Sequence, residues 1–189
     1  MKAVFQVILF LFSVSFFAQQ ATDAALIQEA LLQKTTLANN SLVKNVNFVS
    51  MGPTVMSGRV ADVAVNPENS TEFYVGYASG GLWYTNNNGT TFTPLLDNAP
   101  TQNVGDIAVD WNSGTLWVGT GEKNSSRSSY AGIGILKSTD QGKTWSNVGL
   151  PDAHHISRIL INPKNADEVV VGVIGHLYSS NEERGVFKT

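Results

Sequence analysis

The sequence predicts an all-β protein, a β-propeller of four-stranded antiparallel blades, and three observations carry that prediction. Strand-length apolar runs recur with a period near 50: Thr85 and Ser138 lie 53 positions apart, Ser138 and Thr189 51. Each copy holds the same succession of short runs separated by Gly, Asn, Asp and Pro, which mark turns. Two copies then share one turn spacing, Thr85-x-Asn87-x-Gly89-x-x-Phe92 and Ser138-x-Asp140-x-Gly142-x-x-Trp145. A period of 40–50 residues with four strands per unit is the signature of a propeller blade.

The first runs are Asp62-Val-Ala-Val-Asn-Pro67, Asp106-Ile-Ala-Val-Asp-Trp111 and Arg158-Ile-Leu-Ile-Asn-Pro163. The second runs begin at Glu72, Thr115 and Glu168 and each ends in Val-Gly, at Gly76, Gly119 and Gly172. The third begin at Gly81, Gly134 and Gly185. These place blade 1 at about 58–96, blade 2 at about 103–149 and an incomplete blade 3 at about 155–189, within a partial propeller spanning 46–189. Thr189 stands at the first position of the next turn motif, and propellers close with about 4–8 blades. The expectation is an N-terminal fragment with about two and a half blades present.

Ahead of the repeats, Met1-Lys2 and the apolar run Val4–Phe17 read as a signal peptide over 1–18, too short for a transmembrane helix of about 20 residues. Residues 19–45 read as a leader: Thr22-Asp23 offers a cap and Ala25, Leu26, Glu29, Ala30, Leu32 and Gln33 favour helix. The chain of 189 residues has 42% apolar and only 14% charged residues, 17 Gly, no Cys and a net charge of −3. That balance suits many short strands and disfavours nucleic-acid binding. Without Cys there is no disulfide framework and no thiolate nucleophile or metal ligand. Neither a phosphate-binding Gly loop nor an HExxH or EF-hand pattern occurs, so no cofactor and no metal is expected. The expected location is secreted or at the cell surface, with a membrane contact only through a further C-terminal region.

The turn residues have a local purpose. The carboxylate of Asp140 can accept backbone N–H groups within a tight turn, Gly142 permits positive φ, and Trp145 packs back over the hairpin. Asn87 can repeat this more weakly. Ser138, Asp140, Gly142 and Trp145, with Thr85, Asn87, Gly89 and Phe92, are therefore read as structural.

With those motifs, Val46–Thr189 resembles the Asp-box (BNR) propellers of the sortilin/VPS10-like and glycosyl-hydrolase-like secreted proteins. The residues carrying the resemblance include Met51-Gly-Pro53, Met56–Asp62, Ala78–Trp83, Gly119–Glu122, His154–Arg158 and Glu183–Thr189. It implies either carbohydrate binding or hydrolysis, or, alternatively, a non-catalytic peptide- or protein-binding propeller. The partners implied are thus a polysaccharide or an extracellular peptide or protein. Xyloglucanase-like members are implied to carry an acid just before the Gly-Gly of the first blade, where this chain has Ala78 and Ser79. The Arg-Ile-Pro of sialidases is missing, and only Arg59, Arg127, Arg158 and Arg184 are present to hold a sugar carboxylate.

Strand alternation puts the Asp-box turns at one end of the blades and the second-to-third loops at the other. Those loops lengthen from Ala78–Gly81 in blade 1 to Gly121–Gly132 and Gly175–Arg184 in blades 2 and 3. Long loops on one face of a rigid scaffold are where binding residues collect. Candidate ligand contacts there are Arg59, Glu122, Arg127, Tyr130, His154, His155 and His176. Arg59 either grips an anion or pairs with Asp62 or Asp106. Asn103 aligns with Arg59 and His155 at the lead-in to the innermost strand, a position expected at the channel mouth. Glycoside hydrolysis needs two carboxyl groups. Asp62, Asp106, Glu122 and Glu182 are the available acids, and no pair stands out. Glu182-Glu183-Arg184 reads as a solvated charge run, and Trp83, Trp117, Trp145 and Phe187 as core.

Overall fold

The structure, a computed structural model, describes residues 20–48, 58–124 and 129–189. The expected signal peptide, Met51-Gly-Pro53, Met56 and Arg127 lie outside the described residues.

Helix α1 (Ala24–Asn40) starts where Asp23 caps it, its Oδ1 accepting the Ala25 N–H at 2.8 Å. None of its residues is buried, so it contributes nothing to the core. Among the described residues the strands form three consecutive antiparallel sheets. Blade 1 is β1 (Val60–Val65), β2 (Phe73–Tyr77), β3 (Gly81–Thr85) and β4 (Thr93–Pro94), paired in that order. Blade 2 repeats it as β5 (Val104–Asp110), β6 (Thr115–Thr120), β7 (Ile135–Ser138) and β8 (Ser146–Asn147). Blade 3 supplies β9 (Ile156–Asn162), β10 (Asn165–Val173) and β11 (Gly185–Lys188). The first strands are neighbours: β5 packs against both β1 and β9. Sequential meanders stacked through their first strands are propeller blades, and the chain forms part of a β-propeller.

Among the described residues two hydrophobic cores hold the stack, one at each junction between blades. Tyr74 and Leu82 of blade 1 meet Val104, Ile107, Leu116, Val118 and Leu136 of blade 2. Trp117 and Ile135 of blade 2 meet Ile156, Ile159, Val169, Val171 and Val173 of blade 3. Strand alternation explains the division: along β6, Leu116 and Val118 point to one face and Trp117 to the other.

The repeated Val-Gly has a packing cause. A Cβ on Gly119 would lie 2.4 Å from Ile156 Cγ2, and one on Gly76 2.8 Å from Val104 Cγ1. The first residue of each succeeding inner strand therefore packs into a space only Gly leaves.

Register confirms the two ends. Asp110 pairs with Thr115 and Val104 with Thr120, while Leu116 faces Ser138 and Gly119 faces Ile135. The Asp140 turn thus lies with the β5–β6 turn, and the Gly121–Gly132 loop lies at the opposite end.

Candidate functional site

The turn at Asp140 forms as its residues suggest. Asp140 Oδ1 accepts from Thr144 N at 2.9 Å and from Ser138 Oγ at 2.7 Å, and Ser138 Oγ accepts from Gly142 N at 2.8 Å. These bonds favour the carboxylate and hold its pKa down at about 2, the Thr144 hydroxyl contributing most. In blade 1 Asn87 Oδ1 accepts from Thr91 N at 3.0 Å, and Thr85 Oγ1 accepts from Gly89 N at 3.0 Å. Positive φ falls on Gly142 and Gly89, and also on the residues before them, Gln141 and Asn88. Trp145 reaches further than its own hairpin: Nε1 donates to Leu95 O of the preceding blade at 2.8 Å. Phe92 has no N–H to do this and packs edge-on against Phe73 at 6.1 Å.

Asp62 and Asp106 occupy equivalent positions and have one equivalent job. Asp62 Oδ2 accepts the N–H of Ile107 at 3.1 Å, and Asp106 Oδ2 accepts that of Ile159 at 2.7 Å. Each carboxylate links its inner strand to the next blade. Asp106 is fully buried and also receives Lys123 Nζ at 2.5 Å, with Arg158 Nη1 3.6 Å away. Burial pushes its pKa up; the Lys123 and Ile159 bonds oppose that shift.

The loop face is built around Glu122. Arg59 Nε donates to Glu122 Oε1 at 2.7 Å, which gives it a carboxylate partner in the loop itself. Asn103 Nδ2 donates to Ala131 O at 2.9 Å, and His155 Nδ1 lies 2.9 Å from Glu122 O. The three lead-in positions thus clasp one loop. Their backbones are equivalent too: Arg59, Asn103 and His155 carbonyls accept from Ala78, Gly121 and Ile174 N–H groups. Glu122 is 1% exposed, and its Oε2 has no hydrogen-bond partner among the described residues. Gly121, at φ 84°, is required here, because a Cβ would lie 1.8 Å from His154 O.

A second cluster stands where the 150–155 connection meets the 174–184 loop. The His154 and His176 rings stack with centroids 3.7 Å apart, and His155 lies 6.3 Å from His154. His176 is 7% exposed, with Nε2 3.1 Å from Asp152 Oδ1 and Nδ1 2.7 Å from Ser179 Oγ. Burial, more than any neighbouring charge, pushes the His154 and His155 pKa values down, so both rings favour the neutral form. A cavity of about 470 Å³ opens here, lined by His154, His176 and Tyr178 and also by Gln20, Ala21 and Thr22 of the leader. Tyr178 is 81% exposed and Tyr130 50%.

The supposed charge run is part of the framework. Glu183 Oε2 accepts from Asp152 N at 2.7 Å, and Arg184 Nη2 donates to His176 O at 2.6 Å. Asn181, which residue type alone did not mark, donates to Asp152 O at 3.0 Å and accepts from His176 N at 3.0 Å. Asp152 escaped the sequence reading for the same reason: a Pro-Asp turn looks like any other.

No protein-family model and no curated protein matches the chain. Among solved structures it is similar to an ancestral GH74 enzyme, with 22% identity over 69% of this chain and 17% of that one, at a TM-score of 0.49. It is also similar to PorZ, an essential bacterial surface component of the type-IX secretion system of Porphyromonas gingivalis, with 22% identity over 68% of this chain and 17% of that one, at a TM-score of 0.49. The GH74 xyloglucanase from Xanthomonas campestris shares 14% identity over 59% of this chain and 18% of that one, at a TM-score of 0.45. The chain spans less than a fifth of the length of each of these proteins.

Proposed function

We propose that this part of the propeller binds a carbohydrate on its loop face, in an extracellular protein. The observation that carries the reading is the cavity beside His154 and His176 with Tyr178 standing exposed at its wall. An exposed aromatic face beside several fixed hydrogen-bonding groups suits a sugar ring, which presents C–H bonds on one side and hydroxyls around its edge.

Hydrolysis would require an acid and a second carboxylate on opposite sides of the scissile bond. Asp106 is committed to Ile159 and Lys123, Asp62 to Ile107, and Glu122 to Arg59. Those bonds give three of the four candidate acids a framework role. Export is supported by the apolar run after Lys2. Among the described residues no helix is long and apolar enough to cross a membrane.

Glycan-array and affinity-electrophoresis measurements on the full chain test the reading. Binding to at least one polysaccharide is expected, weakened about tenfold by Tyr178→Ala, equivalent to about 1.4 kcal/mol. Binding to peptides and to no glycan, or glycan binding indifferent to Tyr178→Ala, overturns it.

A further inference from the structure

We propose that Asp152, His154 and His176 form a mononuclear site for a transition metal of the zinc class, with a coordination position left open toward the cavity beside Tyr178. The proposal does not depend on carbohydrate binding, because metal binding is read with no sugar present.

The donor atoms of the three side chains all lie within 4.8 Å of one another. Two donors about 2.1 Å from a tetrahedral ion stand about 3.4 Å apart. His176 Nε2 and Asp152 Oδ1, at 3.1 Å, already have nearly that spacing. His154 is half-buried and stacked on His176, and coordination would require its ring to turn so that a nitrogen meets the same point. Two imidazoles and one carboxylate suit zinc and its neighbours, whereas calcium and magnesium require more oxygen donors.

The surroundings match a ligand site in two further respects. Ser179 Oγ, 2.7 Å from His176 Nδ1, is placed where the outer partner of a ligating imidazole sits, fixing the ring while Nε2 faces inward. Asn181 joins the Asp152 carbonyl to the His176 amide, Glu183 holds the Asp152 amide, and Arg184 holds the His176 carbonyl. The two loops are thereby fixed to each other before any ion arrives, which lowers the cost of assembling the site. The chain has three histidines in 189 residues, and all three gather on this face. With three protein ligands, a fourth position remains for water or a ligand oxygen from the cavity, the pattern of zinc sites that act on a ligand.

The test uses the full chain stripped with a chelator, then titrated with Zn²⁺ by calorimetry and with Co²⁺ by visible absorption. One equivalent bound at micromolar affinity or tighter is expected, with the ligand-field bands of four- or five-coordinate Co²⁺. His154→Ala and His176→Ala should each weaken binding at least about tenfold. At equal concentration Zn²⁺ should raise the melting temperature of the wild type more than that of His154→Ala. If His176→Ala fails to fold, His154→Ala decides alone, since its ring is half-buried and its loss leaves the framework bonds intact. Failure to bind Zn²⁺ or Co²⁺ tighter than millimolar, or binding unchanged in His154→Ala, overturns the proposal.

Discussion

Asp140 and Asn87 hold the same place in two successive turns and differ by one ionisable group. Both accept backbone N–H groups from four residues ahead, at 2.9 and 3.0 Å. Only Asp140 titrates, and its folded pKa of about 2 lies below that of an unfolded aspartate, about 3.9. A depressed pKa stabilises the fold above the unfolded value, and that contribution is lost as pH falls from about 4 toward 2. Amide exchange across Ser138–Trp145, taken relative to its intrinsic rate at each pH, should therefore accelerate over this window while exchange across Thr85–Phe92 does not. Asp140→Asn should abolish the difference; equal acceleration in both turns would contradict the assignment. This level of detail was legible from residue spacing because every partner lies within the turn. Asp62 was not legible in the same way. Its acceptor role depends on an N–H 45 positions onward, and an acid at a strand start looks the same whether it bonds backbone or substrate.

At the scale of elements, the inner strands are joined by one repeated device, a carboxylate received by the next blade. The two copies differ in burial. Asp62 is partly exposed, whereas Asp106 is 0% exposed and also holds Lys123. Removing one member of a buried charged pair costs about 3–5 kcal/mol, and losing an ordinary hydrogen bond about 1 kcal/mol. Asp106→Ala should accordingly destabilise by several times as much as Asp62→Ala in denaturant unfolding; equal costs would show that the burial of Asp106 is immaterial. The third copy has Arg158 at this position, and it turns back toward Asp106 at 3.6 Å. Period and apolar alternation revealed the strands and their order, since both are properties of consecutive residues. They did not reveal that Trp145 bonds Leu95 of the preceding blade, because that contact crosses 50 positions. The same reason hid the Asp152–His176 pair, 24 positions apart and brought together by Asn181.

For the molecule as a whole, the two ends of the blades are chemically different. One end carries the compact turns at Asn87 and Asp140, whose polar groups bond each other. The other carries the long loops, the buried Glu122, the histidine cluster and two exposed tyrosines. The assignment of ends followed from strand alternation alone, and the register agrees with it. Loop length also singled out this end, and within it Arg59, Asn103 and His155 clasp Glu122 and Ala131. The most direct measurement of this polarity is hydrogen exchange on the full chain with and without a saturating polysaccharide found by array. Protection confined to residues 20–22, 129–132, 153–155 and 175–179 is the predicted result. Protection centred on the turns at 87–91 and 140–144, or none at any site despite saturation, would contradict it.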